Sequence, residues 1–169
     1  ASGSSSWFSF IIQSYVAFDM GTVQFRDSLG PAESIYYMGR INGSTKYRLV
    51  MRDVNAAQYV ADNSNSVSVE QQVLFTGRID SGTTDNVHIW IDPDLYNGTP
   101  SDASANMVLT NVPHVDLNWL VLQNGNDTSG TTSIDEIRIG LNYNSVVPEP
   151  ALLGLVPACA MLLRRRSRG

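Results

Sequence analysis

Three aspartates offer the plainest chemistry in this 169-residue chain: Asp92 and Asp94 flank Pro93, and Asp102 follows in the same polar stretch, 92–106. Calcium takes about six to eight oxygen ligands, and carboxylates set among backbone and asparagine oxygens are ligands of that kind. Asp92, Asp94 and Asp102 are therefore the candidate metal ligands, and calcium is the one candidate cofactor. The stretch lacks the EF-hand order, and Asp-Pro-Asp is also an ordinary turn sequence.

Other reactive residues do not assemble into a catalytic set. Hydrolysis of a sugar linkage needs two carboxylates flanking one bond, one of them with a raised pKa. Asp135 and Glu136 are adjacent, so on a strand they face opposite sides and cannot share a bond. His88 and His114 lack metal-pair spacing, and neither has a nucleophile motif beside it. There is no Gly-x-Ser-x-Gly and no phosphate-cradling glycine loop. The single cysteine, Cys159, lies in a C-terminal apolar run, so the chain can form no internal disulfide and no cysteine zinc site. Trp7, Trp90 and Trp119 could stack on sugar rings, although tryptophan in a small β domain is more often core. The chain reads as non-catalytic.

The elements that must position these residues are strands. Apolar alternation of period two recurs over residues 7–15, 22–26, 35–41, 46–52, 67–79, 87–91, 117–122 and 134–139. In 46–52, Tyr47, Leu49 and Met51 share one face, and in 87–91, Val87, Ile89 and Ile91 oppose His88 and Trp90. The run 134–139 is mixed at its start. Asn42-Gly43, Ser81-Gly82, Asn97-Gly98 and Asn124-Gly125 mark turns. No segment of the body has a helical period. The pattern predicts an all-β antiparallel sandwich over residues 1–144. Before Pro148 there are seven basic and fifteen acidic residues, a net of −8. That sign argues against a nucleic-acid partner.

Residues 145–169 have a different character. Pro148, Glu149 and Pro150 precede thirteen apolar residues, 151–163, which include Ala151, Leu152, Leu153, Gly154, Leu155, Val156, Leu162 and Leu163. Arg164, Arg165, Arg166 and Arg168 close the chain. As a helix the apolar run would span roughly 20 Å, short of a hydrocarbon core of about 30 Å. A helix docked on the domain is one reading. Apolar residues all round the helix, with a basic block that resists translocation, favour a membrane segment with its end in the cytoplasm.

This three-part order resembles the PEP-CTERM sorting signal of exported bacterial proteins. The resemblance implies an exosortase-type processing enzyme as partner, with Pro148, Glu149 and Pro150 as recognition element. It makes 151–163 a transient membrane segment and Arg164, Arg165, Arg166 and Arg168 a stop signal. It also implies a signal peptide ahead of Ala1, and passage through the inner membrane to the cell surface or extracellular matrix. A second resemblance covers about residues 65–142. Val87-His-Ile-Trp-Ile-Asp-Pro-Asp94, followed by a polar loop and Ile134-Asp-Glu-Ile-Arg138, is similar to the concanavalin A-like, laminin-G-like jelly roll. Together these resemblances imply a non-catalytic surface or matrix module. The alternative is a lectin-like module that binds extracellular polysaccharide with calcium assistance.

Overall fold

The computed structural model describes residues 3–15, 20–30, 32–40, 45–66, 70–95, 97–124 and 132–147. The expected C-terminal helix, the sorting motif, the arginine block and the Asn42-Gly43 turn lie outside the described residues. Among the described residues no helix is long and apolar enough to cross a membrane.

The body is all-β. Among the described residues ten strands run in the order β1 (Ser4–Ser14), β2 (Gly21–Arg26), β3 (Ile35–Arg40), β4 (Lys46–Arg52), β5 (Gln58–Ser66), β6 (Gln72–Ser81), β7 (Thr84–Ile91), β8 (Met107–Pro113), β9 (Trp119–Asn124) and β10 (Thr132–Gly140). They form two five-stranded antiparallel sheets, ordered β10-β1-β6-β7-β8 and β5-β4-β3-β2-β9.

One apolar layer lies between the sheets. Phe8, Phe10, Phe75 and Ile89 come from the first sheet and Val23, Tyr36, Met38 and Leu49 from the second. Rings meet across the layer, Phe8 against Phe25 at 5.0 Å and Tyr47 edge-on to Phe75 at 4.9 Å between centroids. Each such side chain contributes about 1.5–3 kcal/mol by leaving water. Gly77 is a packing notch: a Cβ there would lie 2.0 Å from Phe8 Cζ.

Two departures from the sequence reading have physical causes. β5 and β8 carry too little alternation to stand out, and both are edge strands. An edge needs few apolar residues, and most of β5 is exposed. In β10, the register slips opposite β1 between Ser9 and Ile11, and Glu136 has φ 52°. This bulge explains the mixed alternation of 134–139.

Candidate functional site

The outer face of the first sheet carries a second buried layer. β1 turns Trp7 outward, β6 turns Arg78 and Asp80 outward, and β7 does the same with His88 and Trp90. Trp7 and Trp90 stack at 5.6 Å between centroids, and His88 lies flat on Trp90 at 5.9 Å. The Arg78 guanidinium sits over both indoles, 5.6 Å from Trp7 and 5.9 Å from Trp90. Tyr143, Val146 and Val147 complete the layer, with Leu95 and Ala105 packed against it.

Above this layer, the 92–106 segment encloses a cleft of about 420 Å³. Trp90 and Ile91 form part of its lining, with Asp92, Asp94, Asn97, Ser101, Ser104 and Asn106 among the polar residues. The walls are held by internal hydrogen bonds. Leu74 N donates to Asp92 Oδ1 at 2.8 Å, Ile91 N to Asn106 Oδ1 at 2.7 Å, and Trp90 Nε1 to the Ser101 carbonyl at 3.1 Å. Asn97 Nδ2 donates to Asp94 Oδ2 at 2.5 Å. The cleft thus has a mixed lining, with the carboxylates of Asp92 and Asp94 set beside Trp90, Ile91, Pro93 and Pro100, and its walls are internally hydrogen-bonded.

The fold separates the three aspartates that the sequence grouped. Asp92 and Asp94 line the cleft, whereas Asp102 is taken by Arg78, at 2.9 Å from Nη1 to Oδ1 and 3.0 Å from Nη2 to Oδ2. The Arg78 hydrogen bond holds the Asp102 carboxyl below its ordinary pKa. A calcium ion would have to displace that guanidinium. Among the described residues no three His, Cys, Asp or Glu gather as a metal-holding group. Asp102 is thus engaged by Arg78 and not gathered with Asp92 and Asp94 in this structure.

Other candidates also find structural partners. Asp135 Oδ1 accepts from Glu136 N at 2.7 Å, and Glu136 pairs with Arg138 at 3.2 Å, both acids being exposed on β10. Trp7 and Trp90 are buried, while Trp119 on edge strand β9 is 49% exposed. Of the three tryptophans, only Trp119 presents a face to solvent.

A further polar centre lies between the sheets. Asp85 on β7 is fully buried. Its Oδ2 accepts from Tyr36 Oη at 2.8 Å and Val115 N at 3.1 Å, and its Oδ1 accepts from His114 Nδ1 at 2.8 Å and Gly82 N at 3.3 Å. Burial first, then Asp85, pushes the Tyr36 phenol far up. His114 Nε2 lies 3.3 Å from Asp116 Oδ1. The imidazole therefore bridges two carboxylates, where a catalytic triad would place a nucleophilic hydroxyl. Sequence reading passed over Asp85, although its signal was present. Asp85 is in phase with Val87 and Ile89, so alternation alone puts its carboxylate on the core face.

This centre makes stability depend on pH. The Asp85 hydrogen bond, together with the Asp85 and Asp116 charges, raises the His114 pKa above its ordinary value against some loss from burial. A raised folded pKa stabilises fully below the unfolded value of about 6.5 and is lost as pH rises through the folded value. Melting temperatures between pH 5.5 and 8.5 are expected to show that His114→Gln destabilises most at the acid end. An equal deficit at both ends would refute the coupling.

Neither a known protein-family model nor a curated protein sequence matches the chain.

Proposed function

We propose that this chain is an exported bacterial surface or matrix protein. Its body is a non-catalytic structural or binding module, a jelly roll of the concanavalin A-like kind. Its last residues are an address read by an exosortase-type enzyme in the inner membrane. The observation that carries this reading is the order of the tail: Pro148-Glu149-Pro150, thirteen apolar residues, then Arg164, Arg165, Arg166 and Arg168. Two five-stranded antiparallel sheets are compatible with the jelly roll. Replacing Pro148, Glu149 and Pro150 by alanine in the full chain is expected to leave most of the protein unprocessed in the membrane fraction. Unchanged processing and surface display would sink the sorting reading.

The cleft favours a second reading of the body, as a carbohydrate-binding module. Clefts of about 300–1,000 Å³ with a few placed polar groups suit small ligands, and this one is about 420 Å³. Screening the displayed protein on a glycan array separates the two readings. Binding that disappears in Asp94→Ala supports the second; a blank array supports the structural role.

A further inference from the structure

The last described residues are clipped onto the body. After β10, Asn142 turns the chain: its side chain accepts from Ser145 N at 3.0 Å, and its carbonyl accepts from Ser145 Oγ at 2.7 Å. Tyr143 then meets Trp7 edge-on at 5.4 Å. Val146 is fully buried and Val147 nearly so. Their backbone is held as well as their side chains. Ser9 Oγ donates to the Val146 carbonyl, and Arg138 Nη1 donates to the Val147 carbonyl at 3.2 Å. Val147 N donates to the Tyr143 carbonyl at 3.3 Å. Gly140 supplies the room, because a Cβ there would stand 1.9 Å from Ser145 Oγ and 3.3 Å from Val146 Cγ1. An ordinary loose linker before a sorting motif would need none of these contacts.

We propose that residues 143–147 are a latch that protects the chain up to Val147 and keeps processing from cutting upstream of Pro148; this rests on the sorting reading above. Processing breaks one peptide C–N bond. The carbonyl carbon passes to water, directly or through a thioester on the processing enzyme, and the nitrogen leaves protonated as the amine of the released tail. No electrons are exchanged. The enzyme must thread several residues in extended form, and the carbonyls of Val146 and Val147 are already engaged by Ser9 and Arg138. Cutting upstream of Pro148 therefore requires the latch to open first, and its rate follows the open population.

The test is limited digestion of the full chain with a broad-specificity protease, read by intact mass. The wild-type body is expected to end at Pro148 or later. Two variants loosen the latch by different routes: Gly140→Ala by wedging it, and Ser9→Ala with Arg138→Ala by removing its anchors. Both are expected to be cut within 143–147 roughly ten- to thirtyfold faster, as the loss of one or two hydrogen bonds would allow. Wild-type cutting inside 143–147 as fast as beyond it overturns the latch, and so does a wild-type pattern in both variants. In a host with an exosortase-type enzyme, a mature C-terminus upstream of Pro148 overturns it too. If processing there also ignores the alanine replacement of Pro148, Glu149 and Pro150, the sorting reading falls, and the digest still decides the latch.

Discussion

Asp85→Ala is expected to cost about 3–5 kcal/mol, the range for breaking a buried charged pair from one side. Truncation removes the acceptor for Tyr36 Oη, Val115 N, Gly82 N and His114 Nδ1 together. Tyr36 is fully buried, so its hydroxyl would be stranded in the core. The network also joins the sheets, since Tyr36 belongs to β3 and Asp85 to β7. Urea denaturation measures the loss through the midpoint at constant slope. Tyr36→Phe is the control, removing one of four donors and costing about 1 kcal/mol. If Asp85→Ala costs no more than Tyr36→Phe, the carboxylate is not the centre of the network.

Trp90→Ala is expected to cost a further class of contact, about 3–5 kcal/mol, as large-to-small changes at buried aromatics do. Trp90 is 2% exposed. It stacks with Trp7 and His88, lies under the Arg78 guanidinium and ties the cleft wall through Ser101. Its removal therefore leaves a hole beneath the cleft. Amide exchange is expected to quicken at Ile91 and Asn106, whose backbone hydrogen bonds close the wall. Trp119→Ala, on an exposed edge, gives the comparison. Equal losses for the two tryptophans would show that the outer layer adds no stability.

The strands that line the central layer were readable because their alternation is strong. Lys46–Arg52 was placed to the residue, and Tyr47, Leu49 and Met51 do face inward. Edge strand β5 was not readable because most of it is polar and exposed. Edge strand β8 escaped because Val108 blurs its alternation, although Met107, Leu109 and Val112 are buried. The other two edges, β9 and β10, were read. Alternation alone does not reveal the outer layer, although the expectation that tryptophan is more often core holds for Trp7 and Trp90. Trp7 and Trp90 stand in the solvent phase of their strands, and only the 92–106 segment and residues 143–147 make that phase a second core. Nothing local in the sequence announces that two segments will fold back over a sheet. The site suffered likewise: Asp92, Asp94 and Asp102 are near one another in sequence, but Arg78, from a different strand, decides where Asp102 goes.

The placement of the latch has a mechanical meaning. β1 and β10 are antiparallel neighbours, with Trp7 opposite Gly140 and Ser14 opposite Thr132. The start of one strand and the finish of the other therefore emerge from the same end of the sheet. Tension between them would peel β10 from β1 one rung at a time, the weak loading direction for a hydrogen-bonded ladder. Residues 146 and 147 lie across that seam, gripped by Ser9 on one side and Arg138 on the other. A tug on the C-terminal end is thus met first by a clasp, and only after the clasp gives does the load reach the ladder.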